Sequence, residues 1–372
     1  MSPELSSDSR FMALALALGR RGLGRAWPNP AVGAVIVRGD GVIVGRGWTQ
    51  PGGRPHAEVE ALRQAREAAR GATMYVTLEP CSHHGKTPPC ADAIIAAGVA
   101  RVVAAIEDPN PEVAGQGHAR LRAAGITVAV GEGAAESRRD HAGHIRRMRD
   151  GRPHVTLKLA VSADGKAGLA GRRTAAITGE PARARVHMLR AMHDAILVGV
   201  GTVLADDPAL TCRLPGMDSR SPIRVVLDAD LRLPLSSQLV RTAAQTPVWA
   251  FAGPSASVRD DALRKAGVEV LRVGSTNGRL DLAVVLTALG GRGITRLMVE
   301  GGPVVAASLL RADLVDAAVV LHGASPIGPE GIDAIDGQPL EALTRAPQLR
   351  LVGSETVGSD RIDTFERKYL EA

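Results

Sequence analysis

The chain is 372 residues long, 45% hydrophobic, 23% charged and 2% aromatic, with a formal net charge of +6 and three cysteines. That length exceeds the usual reach of one hydrophobic core, so two domains are expected, and the composition excludes a disordered or collagen-like chain. No apolar run approaches the roughly 18 residues of a membrane span, and aromatic residues are too scarce for the stacking platforms of single-strand nucleic-acid binders. The basic balance therefore fits a phosphorylated small substrate, and so few cysteines point to a reducing, cytoplasmic setting without disulfides.

In chain order, Ser9 to about Gly22 has helical periodicity. Its apolar run, Phe11 to Leu18, is followed and not preceded by Arg20, Arg21 and Arg25, the reverse of a secretory signal. Gly24 to Pro30 breaks the pattern, and Asn29, between two prolines, either aims an amide at a ligand or simply belongs to a turn. Ala31 to Val37 and Val42 to Trp48 are β-rich, and the intervening Asp40-Gly41 predicts a hairpin. His56 opens a helix to about Ala69, Thr73 to Leu78 is a strand, Cys90 opens a second helix and Val99 to Ile106 is the next strand. A helix near Ala119 to Ala124 and a strand Ile126 to Val130 complete the first half. The arginine-rich run Glu136 to Arg152 reads as a solvated face, and Gly151-Arg152-Pro153 as a boundary between domains 1–150 and 151–372.

Strands then fall near His154 to Val161, Ala195 to Val200, Ile223 to Leu227, Val248 to Ala252, Val268 to Arg272, Arg296 to Val299 and Val315 to Leu321. Helices near Glu180 to Met192, Ser257 to Ala266, Asp281 to Leu289 and Pro303 to Leu310 alternate with them, the pattern of a largely parallel α/β sheet. Leu349 to Val352 and Asp363 to Tyr369 add antiparallel edge strands. Cys212, with nothing nearby to lower its pKa, reads as a buried apolar side chain.

The chemistry of the first half lies between His56 and Cys90. One imidazole and two thiolates supply three zinc ligands and leave a fourth position for water, and Glu58, two residues after His56, is a carboxylate free to shuttle that water's proton. Zinc nucleobase deaminases carry His-x-Glu followed by Pro-Cys-x-x-Cys. Here eight residues, not two, separate Cys81 from Cys90. His83 or His84 could replace Cys90 as ligand, although Cys90 begins a helix as the second cysteine should. A non-catalytic zinc knuckle is the bland alternative.

His56-Ala57-Glu58-Val59, Thr77-Leu78-Glu79-Pro80-Cys81-Ser82-His83-His84-Gly85 and Thr87-Pro88-Pro89-Cys90 resemble the deaminase domain of the bifunctional riboflavin-biosynthesis deaminase/reductases, in which a long insertion between the cysteines is a family feature. Pro28-Asn29-Pro30-Ala31-Val32-Gly33 and Asp108-Pro109-Asn110-Pro111 share that resemblance. It implies a cytidine-deaminase-like three-layer domain with Zn2+ on His56, Cys81 and Cys90, Glu58 as proton carrier and Asn29 toward the substrate.

Taken alone, the second half is only suggestive. Gly199-Val200-Gly201 and Gly301-Gly302-Pro303 each follow a strand and open a helix, where backbone amides meet phosphates or simply make a tight turn. Lys158 to Lys166, Ile177-Thr178-Gly179, Leu189-Arg190-Ala191, Gly201 to Thr211 and Val299 to Pro303 are similar to the family's reductase domain, whose fold is like dihydrofolate reductase. By that resemblance NADPH would be lined by Ala160, Ala176, Thr202, Asp206 and the segment Gly302, Pro303, Val304, Val305, Ala306, Ala307, Ser308. Thr174, Arg190, Leu210, Arg213 and Glu300 would hold a ribose phosphate. Ala175-Ala176 stands where relatives often carry an aromatic residue. The expected enzyme is cytoplasmic and homo-oligomeric, has neither nucleic-acid nor membrane partners, deaminates a phosphoribosylamino-diaminopyrimidinone and reduces its ribosyl group. The rival is an RNA- or nucleobase-editing deaminase with an accessory nucleotide-binding domain.

Overall fold

The computed structural model describes residues 6–83, 88–111, 113–169, 177–255, 258–276 and 278–368. The chain divides into two compact units, Met1–Arg152 and Pro153–Ala372.

In the first unit, strands β1 (Gly33–Val37), β2 (Ile43–Trp48), β3 (Thr73–Val76), β4 (Arg101–Ala104) and β5 (Thr127–Val130) form one sheet in the order β2-β1-β3-β4-β5. The hairpin signalled by Asp40-Gly41 is present, with β1 antiparallel to β2 and Gly41 at φ 83°. Strands β3, β4 and β5 are parallel. Helices α1 (Ser7–Gly19), α2 (Ala57–Ala65), α3 (Cys90–Ala96), α4 (Gln116–Ala123), α5 (Ala134–Asp140) and α6 (Ala142–Asp150) complete the unit.

Strand alternation separates the two faces. Ala34, Ile36, Met74, Val76, Val102 and Ala104 pack with Ala57 and Ala61 of α2, Ile94 of α3 and Leu121 of α4. Their neighbours Val35, Val37, Tyr75 and Val103 pack with Phe11, Met12, Ala15 and Leu16 of α1. Because both faces are buried, these strands read as nearly continuous apolar runs, and the result is three layers. Helix α2 lies very close to the sheet. A Cβ on Gly45 would fall 2.2 Å from the Ala61 carbonyl oxygen, and one on Gly47 2.1 Å from that of Ala57.

The second unit comprises β6 (His154–Val161), β7 (Lys166–Leu169), α7 (Glu180–Ala191), β8 (Ala195–Gly199), α8 (Val200–Asp206), β9 (Ile223–Leu227), α9 (Gln238–Arg241), β10 (Val248–Ala252), α10 (Val258–Lys265) and β11 (Val268–Arg272). It continues through β12 (Ser275–Thr276), β13 (Arg279–Leu280), α11 (Leu282–Gly291), β14 (Arg296–Val299), α12 (Pro303–Arg311), β15 (Ala317–His322), β16 (Gly331–Asp333), α13 (Glu341–Thr344), β17 (Leu349–Val357) and β18 (Asp360–Arg367). The main sheet has nine strands in the order β11-β10-β9-β8-β14-β6-β15-β18-β17. It is parallel from β11 to β15 and ends in the antiparallel hairpin β17–β18. The last hairpin is longer than the sequence pattern indicates, because β17 is exposed along most of its length and so carries no apolar alternation.

Gly47→Ala is expected to push α2 off the sheet and to destabilise the first unit by about 1–3 kcal/mol. Gly39→Ala, which meets nothing within 4 Å, should stay within about 0.5 kcal/mol of the parent. Urea denaturation of the two variants checks the contrast.

Candidate active sites

The first site is assembled from element ends. His56 is the N-cap of α2, with ψ at 160°, so its ring leaves the helix end while Glu58 sits in the first turn behind it. Cys81 follows the turn after β3, and Cys90 is the first residue of α3. The backbone N–H of Cys90 donates to Cys81 Sγ at 3.3 Å, and the N–H of Ala91 donates to the Cys81 carbonyl at 3.1 Å, which ties the two cysteines across their long insertion. His56 Nδ1 lies 3.7 Å from Cys81 Sγ and 3.3 Å from Cys90 Sγ. His83 is exposed and His84 lies outside the described residues, so Cys90 is the residue brought to the cluster.

Zinc bonded to nitrogen at about 2.0 Å and sulfur at about 2.3 Å in a tetrahedron would separate those donors by about 3.5 Å. The observed distances bracket that value, so the donor set fits the ion. The electrostatics agree. Hydrogen bonds from Cys90 and His56 push the Cys81 thiol down to about 4, whereas the Cys81 thiolate and burial drive Cys90 upward. A bound cation is what would let both sulfurs ionise. Glu58, 3% exposed, is raised above the usual carboxylate range by burial, which the imidazole of His56 opposes. Asn29 Nδ2 donates to the Gly53 carbonyl at 2.9 Å and lies 3.1 Å from His56 Nε2, so the Pro-Asn-Pro loop touches the site through the far side of the imidazole.

Glu79, which precedes the Pro80-Cys81 turn, has a structural task that its place in the motif does not reveal. Its Oε1 accepts the N–H groups of Gly117 (2.8 Å) and His118 (3.2 Å), and its Oε2 those of Gly115 (2.9 Å) and Asp108 (3.1 Å). The buried carboxylate thereby fastens the Asp108-Pro109-Asn110-Pro111 loop and the start of α4 against the cysteine turn.

The second site is a cleft of about 1090 Å3 at the carboxyl ends of β6, β8, β9 and β14, where parallel α/β sheets place ligands. Ala160, Thr202, Asp206, Arg190, Leu210, Glu300, Gly302, Pro303, Val304, Val305 and Ser308 line it. Ala306 and Ala307 do not; both are fully buried, because one helix cannot turn seven successive residues to one side, and Val304, Val305 and Ser308 form the cleft-facing stripe of α12. Arg213 is exposed and stands outside the lining, with its backbone N–H on His187 Nδ1 at 3.3 Å. Thr174 and Ala176 lie outside the described residues.

Glu300, at the end of β14, is the cleft's electrostatic centre. Arg190 of α7 grips it with two bonds, Nε to Oε1 at 2.7 Å and Nη2 to Oε2 at 3.0 Å, and its Nη1 donates to the Thr211 carbonyl at 3.0 Å. Lys158 Nζ stands 3.7 Å from Glu300 Oε2. Burial pushes this carboxyl up, but Lys158 and Arg190 outweigh it and hold the group down to about 2. Lys158 is the residue the pattern should have flagged: a lysine in the largely buried strand β6 has to find an anion or a ligand.

A three-layer unit with a zinc-fitting His-Cys-Cys cluster and a parallel-sheet unit with a ligand-sized cleft define a two-domain enzyme of the zinc-deaminase and reductase type. The sequence profile of the cytidine and deoxycytidylate deaminase zinc-binding region matches residues 5–106, and that of the RibD C-terminal domain matches residues 153–362. The riboflavin biosynthesis protein RibD of Escherichia coli is 45% identical over 366 residues, covering 95% of this chain and 97% of that protein. Its counterpart in Aquifex aeolicus is 40% identical, covering 97% and 98%. Among solved structures, Acinetobacter baumannii RibD superposes with a TM-score of 0.86 at 34% identity, covering 98% of this chain and 99% of that one. A Thermotoga maritima diaminohydroxyphosphoribosylaminopyrimidine deaminase/5-amino-6-(5-phosphoribosylamino)uracil reductase gives 0.84 at 35%, covering 97% and 99%. The chain belongs to the RibD family of bifunctional riboflavin-biosynthesis enzymes. It has that family's two parts, a cytidine-deaminase-like unit and a dihydrofolate-reductase-like unit, which Zn2+ and NADPH fit as cofactors. The editing-deaminase alternative is not favoured, since the second half matches a reductase profile.

Two outcomes test this geometry. Glu79→Ala leaves four N–H groups, two buried and two half-buried, without their acceptor and should destabilise the first unit by about 3 kcal/mol or more, measured by denaturation. For Glu300 the folded value lies near 2 against an ordinary 4.5, so its stabilisation is complete above pH 4.5 and is lost as pH falls toward 2. The stability gap between the parent and Glu300→Gln, followed by thermal melts, should therefore be widest near neutrality and close on acidification.

Proposed function

We propose that the first unit hydrolytically deaminates 2,5-diamino-6-(5-phosphoribosylamino)pyrimidin-4-one and that the second reduces the ribosyl group of the product to ribityl with NADPH. The observation that carries the reading is the convergence of His56 Nδ1, Cys81 Sγ and Cys90 Sγ with the buried carboxyl of Glu58 behind them. Bound by these three donors, Zn2+ supplies the Lewis acidity that brings the pKa of a water to about 7. Glu58 takes the proton of the attacking water and returns it to the amine, which departs as ammonia while the ring carbon gains oxygen. Its raised affinity for protons suits a group that must both accept and give one. Asn29, whose Nδ2 donates to the Gly53 carbonyl, offers Oδ1 to an amine of the pyrimidine.

In the second unit, the Gly301-Gly302 turn and the uncapped start of α12 suit the pyrophosphate of NADPH, with Ala160, Thr202, Asp206, Val304, Val305 and Ser308 along the cofactor. Glu300, fixed by Arg190 and Lys158, faces the ribose, and Leu210 completes the substrate end. The three free thiols support a reducing, cytoplasmic setting, and among the described residues no helix is long and apolar enough to cross a membrane. Leu351 and Val352 are 56% and 38% exposed on the edge strand β17, which supports homo-oligomeric pairing, checked by light scattering.

Incubation with the pyrimidine, followed by product mass with and without NADPH, tests both steps. Glu58→Ala should slow deamination by at least about 10²-fold with bound zinc unchanged, and it should still oxidise NADPH on the deaminated substrate. Chelation should abolish deamination and spare reduction. Deamination that survives either treatment overturns the first-unit mechanism.

A further inference from the structure

The substrate end of the second unit's cleft is built on a strained piece of chain. Beyond α8, Asp207 and Leu210 lie in the left-handed region at φ 39° and φ 53°, although neither is glycine. Leu210 lines the cleft with Arg190 and Glu300 and is 3% exposed. A leucine keeps such a backbone only where its surroundings over-determine it. Asp207 is tied to α9, its Oδ1 accepting the Gln238 N–H at 2.7 Å and its carbonyl accepting Gln238 Nε2 at 2.6 Å. The fully buried Arg224 donates Nη1 to the Ala209 carbonyl at 3.4 Å, Arg190 donates Nη1 to the Thr211 carbonyl at 3.0 Å, and the Cys212 N–H donates to Ser221 Oγ at 3.1 Å. His187, one turn before Arg190 on α7, adds the last link: its Nδ1 stands 3.3 Å from the Arg213 backbone nitrogen and 3.2 Å from the Thr211 carbonyl oxygen.

One ring nitrogen cannot serve both neighbours. As an N–H it would donate to Thr211, whose carbonyl already has Arg190, and would turn a proton toward the Arg213 N–H. As a lone pair it gives that N–H its acceptor and leaves Arg190 on Thr211, so both donors are satisfied only by the neutral ring with its proton on Nε2. The surrounding charges favour that form. Burial, then Arg190 on α7 and Arg213 in the turn, hold His187 below its usual 6.5, against the pull of the Thr211 carbonyl and of Glu300 at the end of β14. We propose that His187 is a positioning residue of the reductase, whose Nδ1 lone pair anchors the turn at Arg213 and thereby keeps Leu210 in the conformation that shapes the substrate end of the cleft. The proposal rests on the reading of the second unit as a reductase. Protonation would set N–H against N–H, so the anchor is intact at and above neutrality and is lost as pH falls through the lowered value, below 6.5.

Steady-state kinetics with NADPH on the deaminated substrate tests the role. His187→Ala should raise the KM for that substrate about threefold to tenfold, while kcat and the KM for NADPH stay within about twofold of the parent. His187→Asn, whose Oδ1 stands in for the Nδ1 lone pair, should recover most of the loss. The substrate's own phosphate titrates alike in parent and variant, so the difference between them isolates the imidazole. As pH falls below 6.5 the substrate KM should climb more steeply in the parent than in His187→Asn, which has no proton to gain. Two readouts need no turnover. Nitrogen spectra of isotope-labelled histidine, with the His187 signal assigned by its loss in His187→Asn, should show an unprotonated Nδ1 at neutral pH, and exchange of the Arg213 amide hydrogen should quicken in His187→Ala but not in His187→Asn. An unchanged substrate KM in His187→Ala, a His187→Asn as impaired as His187→Ala, a KM for NADPH that rises equally, parallel pH profiles, or a neutral ring protonated on Nδ1 overturns the assignment. A parent that reduces nothing sinks the reductase reading instead, and the spectra and amide exchange still decide whether His187 anchors the turn.

Discussion

Two thiols and an imidazole whose donor atoms lie within 4.8 Å of one another, largely shielded from water, can all act as ligands only if a cation offsets the charge of two thiolates. Without that charge the sulfurs divide the burden unequally, Cys81 taking the negative charge and Cys90 holding its proton. The first unit is organised around delivering these donors to one point from three element ends that have no sequence proximity. The start of α2 brings His56, the end of β3 leads into Cys81, and the start of α3 brings Cys90.

Each delivery depends on a close approach that only small residues or a buried anion permit. Gly45 and Gly47 let the alanine face of α2 settle onto β2, which sets the depth of His56 and buries Glu58. Glu79 draws four backbone amides toward the cysteine turn, so the Asp-Pro-Asn-Pro loop is held in place by the same segment that carries Cys81. Ser137 adds a further tie, donating to the Thr77 carbonyl at 2.5 Å from within the arginine-rich run.

That run shows why part of the molecule was legible in the sequence and part was not. His154–Val161, Ile223–Leu227, Val248–Ala252 and Arg296–Val299 are strands at the residues expected, because a strand buried on both faces announces itself as an apolar run of the right length; the edge strand Val268–Arg272 also falls where expected. The zinc-fitting cluster was legible because its chemistry demands particular side chains at element ends. The run Glu136 to Arg152 looked uniformly solvated, yet it forms α5 and α6 and hides a helical stripe, Ser137, His141 and His144, that is buried against the end of β3 and the Asp108 loop. Polar residues that are buried to bond a distant carbonyl or carboxylate leave no hydrophobic period to read. The same holds for Lys158, whose partner Glu300 lies far along the chain, and for Ala306 and Ala307, which a linear motif carries into the cleft but a helix of 3.6 residues per turn rotates into the core.

The two buried glutamates at the heart of the two sites are pushed in opposite directions by their surroundings. Glu58 has the partial company of one imidazole and is dominated by burial, so its affinity for a proton rises, as hydrolytic proton shuttling requires. Glu300 suffers the same burial but faces a two-pronged guanidinium and an ammonium, so it remains ionised down to about pH 2. Glu300 is therefore a fixed anion that orients Arg190 and Lys158 at the cleft. One residue type thus has its affinity for a proton raised in one unit and lowered in the other, and the difference lies in the number of cations packed against it.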